Sequence, residues 1–129
     1  MKSYTDLKQS KKLAEILPLE SADMCFNISQ RYNMPPLMTP YSKFNEFFNM
    51  EKTPDFLIPC WSLVALLDVI PKCIGDYNIF RMDINDIDTS MWYDKIGYGV
   101  CNELPDITIK EPVDACVAMI EKLHKQKLL

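Results

Sequence analysis

Residues 60–76, CWSLVALLDVIPKCIGD, carry an apolar run broken only by Asp68, and the fold can be reasoned outward from it. Ser62 reads as a helix N-cap, since its hydroxyl can accept from a backbone N–H two or three residues on. Trp61 and Leu66 then take the two positions of a hydrophobic staple, although Ala65 stands where a capping box would need Glu or Gln. Leu63, Leu66, Leu67 and Ile70 form one stripe, and Val64 and Val69 widen it. A helix that is apolar nearly all round is expected to be buried. Pro71 ends it, because the residue before a proline is pushed out of the helical region, and Gly75 lets the chain turn. Burying six such aliphatic side chains and a Trp is worth of order 10–20 kcal/mol gross, at about 1.5–3 each. Conformational entropy offsets most of that. Few segments offer as much, so this helix is expected at the centre of the core.

C-terminal to it, YNIFRMDI (77–84) alternates, with Phe80, Met82 and Ile84 on one face and Arg81 and Asp83 on the other. NDIDTS (85–90) is turn-like. MWYDKIGYGV (91–100) alternates again and puts Trp92, Ile96, Tyr98 and Val100 on one side. Together these segments predict a β-hairpin, with Gly97 and Gly99 marking a bulge or a close approach. DITIK (106–110) adds a third short strand. The last helix starts at Pro112. Glu111 and Asp114 lie at its positive end and Lys122, His124 and Lys125 at its negative end, and Val113, Cys116, Val117, Ile120 and Leu123 make its stripe.

N-terminal to the central run, YTDLKQSKKLAEILP predicts a helix over 5–17, capped by Thr5 and stopped by Pro18. Residues 24–28 read as a short strand or an extended arm. Residues 31–59 hold five of the nine prolines and read as a long loop. One short helix fits inside it, with Thr39 as cap, Pro40 at its first position and Phe44, Phe47 and Phe48 as its stripe. The expected architecture is a single α+β domain over 1–129: a small antiparallel sheet of two or three strands, about three main helices packed on one face, and a long Pro-rich loop.

Composition narrows the function classes. A net charge of −4 disfavours nucleic-acid binding through a broad basic surface, which needs clustered Lys and Arg. Lys8, Lys11 and Lys12, like Lys122, Lys125 and Lys127, read as solvated helix faces. Residues 1–15 lack the apolar core of a signal peptide, and no run has the roughly 18 apolar residues of a membrane span. Five cysteines at irregular spacing read as buried free thiols of a cytoplasmic protein.

The chemistries that leave a local signature are missing from the sequence. There is no Cys-x-x-Cys, and His124 is the one histidine, so no zinc site is expected. The acidic residues Asp83, Asp86, Asp88 and Asp94 do not follow a calcium loop: counting from Asp86 puts Met91 where Gly belongs and Gly97 where Glu belongs. No Gly-x-Ser-x-Gly occurs, and three glycines make no phosphate cradle. Cys116 falls on an apolar helix face, where a thiol is packing. Cys60 precedes a helix start, where a thiolate would be stabilised. No catalytic residue, cofactor or metal ligand is assigned.

Three blocks carry a resemblance: TDLKQSKKLAEILPLESADM (5–24), IPCWSLVALLDVIPK (58–72) and EPVDACVAMIEKLHKQKLL (111–129). They resemble segments of a group of small uncharacterised proteins of gut bacteria, their prophages and other mobile elements. The resemblance implies a bacterial or phage cytoplasmic setting and carries over no activity, ligand or site residue.

Two functions are weighed on these grounds. The first is a non-catalytic interaction or accessory protein, touching a protein partner or a second copy through Tyr32, Tyr41, Phe44, Phe47, Phe48 and the hairpin-loop acids Asp86 and Asp88. Aromatics are enriched at such surfaces. The alternative is a small-molecule binder or enzyme with a pocket near Trp61 and Cys60. Neither nucleic acid nor membrane is expected as a partner.

Overall fold

The computed structural model describes residues 1–29, 35–47 and 51–129, with Phe47 described by its backbone alone. The chain divides into two compact units, one of residues 3–65 and one of residues 1–2 with 66–129.

In the first unit, α1 (Leu7–Leu13) is capped by Asp6, not Thr5. The Asp6 carboxylate accepts from Gln9 N at 2.8 Å, and the Gln9 side chain accepts from Asp6 N at 3.0 Å. That reciprocal pair satisfies two donors the helix start would leave open. Thr5 is instead buried inside the unit. The helix also stops early, at Ala14, and tighter turns carry the chain to Pro18. A 3₁₀ turn at Leu19–Ser21 leads into β1 (Met24–Asn27). A second 3₁₀ turn, Tyr41–Lys43, runs into α2 (Phe44–Phe47), where one short helix starting at Pro40 is expected.

The strand β2 (Leu57–Cys60) pairs antiparallel with β1, Met24 opposite Cys60 and Asn27 opposite Leu57. Leu37 bridges to Cys25 through reciprocal backbone bonds of 3.0 and 2.7 Å. The region read as a long Pro-rich loop is therefore partly sheet, and Pro59 sits inside a strand. A proline costs a sheet only the N–H it cannot donate, so a strand paired on one side tolerates it.

The helix α3 (Leu63–Val69) follows, and Ser62 Oγ does accept from Ala65 N, at 3.2 Å. Trp61, Ala65, Leu66 and Ile70 are buried, but Val64 is 76% exposed and Leu67 and Val69 only half-buried. The helix is thus one-sided, not buried all round. At seven residues it has room for one apolar stripe and too little length to be enclosed.

In the second unit, β3 (Cys73–Ile74), β4 (Asn78–Ile84), β5 (Thr89–Lys95), β6 (Gly99–Val100) and β7 (Ile107–Ile109) form one antiparallel sheet. Its order is β3-β4-β5-β6, with β7 also on β5. The expected sheet of two or three strands is therefore wrong, as is the count of about three helices. Among the described residues there are a five-stranded sheet, a separate two-stranded sheet and four α-helices. The α+β class itself holds. The unforeseen strands have two to four residues, too few for alternation to be read.

The strand expected over 91–100 is two strands. It breaks at Ile96–Tyr98, and β6 folds back so that Val100 faces Asp94 and Gly99 faces Lys95. Gly97 at φ 82° and Gly99 at φ 78° supply the left-handed conformations that the reversal needs.

The helix α4 (Pro112–Lys125) packs on β5 and β7 and covers that part of one face of the sheet. Its whole expected stripe is buried, with Ala115 and Met119 added. Register puts Phe80, Met82 and Ile84 of β4 beside Tyr93, Met91 and Thr89 of β5, with Ile107 and Ile109 beyond. The Tyr93 hydroxyl, carried into this apolar layer, donates to Pro71 O at 2.7 Å.

Candidate interaction surface

The other face of the same sheet is open. Because strand side chains alternate, the pairing Ile79–Asp94–Val100 forms one row across β4, β5 and β6. Arg81–Trp92 forms the next row, and Asp83–Ser90–Thr108 the third. Asp94 organises the first two. One carboxylate oxygen accepts from Trp92 Nε1 at 2.9 Å, and the other lies 3.4 Å from Arg81 Nε. Ser90 and Thr108 share a hydrogen bond of 3.2 Å in the third row. Lys95 Nζ stands 5.3 Å from the centre of the Tyr98 ring. A shallow cleft of about 320 Å³ runs between Ile79, Arg81, Asp94, Lys95, Ile96 and the turn glycines.

Exposure follows this division. Ile96 is 53% exposed, Val100 54% and Tyr98 82%, whereas Met91, Tyr93 and Thr89 on the closed face are buried. The sequence puts Trp92, Ile96, Tyr98 and Val100 together; register puts Trp92 and Val100 on the open face, whereas Ile96 and Tyr98 stand in the turn between β5 and β6. Arg81 and Asp94 were not singled out as contact residues. Their signal was available in the alternation, since charges interleaved with Trp and Ile mark a face that is not core.

Of the residues singled out from sequence, Tyr41 and Phe44 come together in one cluster. Phe44 is buried with Cys25 and Leu57, and half-buried Tyr41 packs against that cluster. Phe44 therefore offers no contact surface: a short helix can bury one aromatic only by turning it inward. Tyr32, Phe48 and the Phe47 side chain lie outside the described residues. Asp86 is exposed at the hairpin tip, and half-buried Asp88 accepts from Asn85 Nδ2 at 3.3 Å. The Asn85 side chain in turn accepts from the backbone of Ile87 and Asp88, which makes the loop a turn.

The Trp61 ring is fully buried and donates from Nε1 to Ser21 Oγ at 2.9 Å. Cys60 is buried beside it, 3.6 Å from Thr5 Oγ1. Thr5 Oγ1 also lies 2.7 Å from Ser10 Oγ and accepts from Trp61 N at 3.2 Å. Burial pushes the Cys60 thiol up, against the lowering effect of its hydrogen bonds. The thiol is thus held neutral, contrary to what its place before a helix start would suggest. Burial likewise raises Cys25 to about 11 and Cys116 to about 12. All five cysteines are free, with Cys73 exposed. Among the described residues no three His, Cys, Asp or Glu side chains are grouped to hold a metal, and no helix is long and apolar enough to cross a membrane. Comparison of the chain with protein-family models, with curated proteins and with solved structures gives no match.

Proposed function

We propose that the chain is a non-catalytic interaction protein that engages a protein partner through the open face of its five-stranded sheet. One observation carries the reading: Arg81, Trp92 and Tyr98, the side-chain types that dominate binding hot spots, stand on or beside that face, two of them fixed by one carboxylate. Holding them in place before contact lowers the ordering cost of binding. Ile79, Ile96 and Val100 supply the apolar ground around them. The resemblance of the three blocks to segments of small bacterial and phage proteins is in keeping with a setting in a bacterium or its mobile elements. The five free thiols fit a reducing compartment.

The test is capture from a lysate of the organism that encodes the chain, with wild-type protein and with Trp92→Ala and Tyr98→Ala. Partners held by wild type should be lost or weakened at least about tenfold by each variant, the loss expected of a hot-spot residue. Recovery of the same partners at the same affinity by both variants overturns the reading.

A further inference from the structure

The strand β4 is the outer neighbour of β5, and its own outer edge is only partly covered. Three backbone bonds fix which groups face outward. Ile96 N donates to Tyr77 O at 2.8 Å, and Asn85 N donates to Asp88 O at 3.0 Å, both in register with the β4–β5 ladder. Alternation then gives the backbone groups of Ile79, Arg81 and Asp83 to β5, and turns those of Phe80, Met82 and Ile84 the other way. Phe80 N accordingly donates to Lys72 O at 2.9 Å. Past Phe80 the pairing stops among the described residues, because β3 reaches only Cys73–Ile74 opposite Asn78–Ile79. Met82 and Ile84 therefore point an N–H and a C=O each into an open lane. Residues 81–84 are all exposed, Met82 by 36% and Ile84 by 47%.

A second copy of the chain does not fit this lane. In an antiparallel self-pairing the charge-matched register sets Met82 against Met82, with Arg81 facing Asp83 in both directions. That register lays Ile84 of the second copy opposite Phe80, where Lys72 already sits. Sliding by two residues relieves the collision but sets Asp83 against Asp83, which like-charge repulsion disfavours. A slide by one misaligns the donors and acceptors. The lane resists its own sequence, as protected edges do.

We infer that the lane receives an extended segment of the partner protein, added antiparallel outside β4, reading apolar–basic–apolar–acidic from its N-terminus and ending or turning away at the acidic residue. The apolar residues pair with Ile84 and Met82 through four main-chain hydrogen bonds. The basic residue faces Asp83 and the acidic one faces Arg81. The stop is dictated by Lys72. Strand addition gives affinity through the main chain and specificity through alternate side chains. This inference rests on the reading above and names how the partner is held.

The probe is a synthetic peptide, acetyl-Gly-Ser-Ile-Lys-Val-Glu with a free carboxylate, titrated into the full chain under isotope-edited NMR. The control is the charge-exchanged acetyl-Gly-Ser-Ile-Glu-Val-Lys. Two cross-strand charge pairs predict that the first binds at least about threefold tighter, and that the Met82 and Ile84 amides slow in hydrogen exchange in proportion to occupancy. In Asp83→Lys the ranking of acetyl-Gly-Ser-Ile-Glu-Val-Glu over the first peptide should follow the new charge. Met82→Pro removes one outward N–H while leaving the β5 ladder its bonds, and should abolish binding with the spectrum of the fold retained. Equal binding of the two peptides, unprotected Met82 and Ile84 amides, or unchanged binding to Met82→Pro overturns the inference. Against a captured partner, loss with Trp92→Ala but none with Met82→Pro sinks strand addition and leaves the open-face function standing. Indifference to all three variants sinks both.

Discussion

The two faces of β5 are built from one seven-residue strand and have opposite fates. Thr89, Met91 and Tyr93 are buried, while Ser90, Trp92 and Asp94 line the open side. Judged by hydrophobicity alone, Trp92 belongs inside and Thr89 outside. The difference follows α4, which packs on β5 and β7 with its own stripe buried. What a strand buries depends on which side its covering helix takes, and a polar residue on that side is carried in with the rest. The unit of residues 3–65 shows another way of holding a chain together. There Asp23 accepts from Ser62 N and Ser62 Oγ, and Thr5 joins Ser10, Cys60 and Trp61, so buried polar groups are paired.

The largest way to break this contrast is in α4. Ile120→Ala or Leu123→Ala should lower unfolding free energy by about 2–5 kcal/mol, the usual cost of such a core truncation. Trp92→Ala should cost well below that, since its ring is only half-buried. Urea midpoints measure both, and similar losses would mean the open face is in fact core.

Alkaline pH should sharpen the contrast next. Cys25 is raised to about 11, and Tyr93 and Cys116 to about 12, by burial in the folded chain. Their ordinary values are 9.0 for the thiols and 10.0 for the phenol. Above about pH 9 the unfolded chain releases protons that the folded chain keeps, so stability is full below that pH and declines as pH rises toward 11–12. Urea midpoints across pH 8–11.5 should fall steadily. A flat profile would mean these groups ionise freely in the folded protein. At neutral pH, exposed Cys73 should react with a thiol reagent well before buried Cys25, Cys60 and Cys116.

In the paired unit, Ser62→Ala removes the acceptor of Ala65 N and a donor to Asp23. A loss of about 0.5–2 kcal/mol is expected for such a cap, read from thermal unfolding. The smallest effect is at Thr89, whose buried hydroxyl has no hydrogen-bond partner among the described residues. Thr89→Val keeps the shape and removes an unsatisfied group, so stability should hold or rise by about 1 kcal/mol. A clear loss would show that the hydroxyl is paired.

Much of the molecule was legible in its residues, for identifiable reasons. The α4 stripe, its Pro112 start and its charge bias agree with one another, and the helix forms over the expected residues. Ser62 caps α3 as read, and Asn78–Ile84 and Thr89–Lys95 make the expected hairpin. The misreadings are local rules overruled by context. Thr5 has the chemistry of a cap but is drawn inside, so Asp6 takes the role. The alternation of Ile96, Tyr98 and Val100 spans a turn, so it does not describe one strand. The candidate surface was half legible. Alternation puts Trp92 and Tyr98 on one side of a strand, but nothing local says which side stays uncovered.

The sequence by itself determined where the chain stiffens and where it bends. Capping, helical periodicity, prolines and the turn glycines act over a few residues, and those neighbours are fixed by the covalent order. Tertiary structure alone decided that β3 and β6 join the hairpin in one sheet, that Pro59 lies in a strand, and which face of β5 is dry. Those outcomes depend on partners tens of residues away. Two-residue strands have no preference strong enough to form without them, and burial is a property of what lies opposite a side chain as well as of the side chain itself.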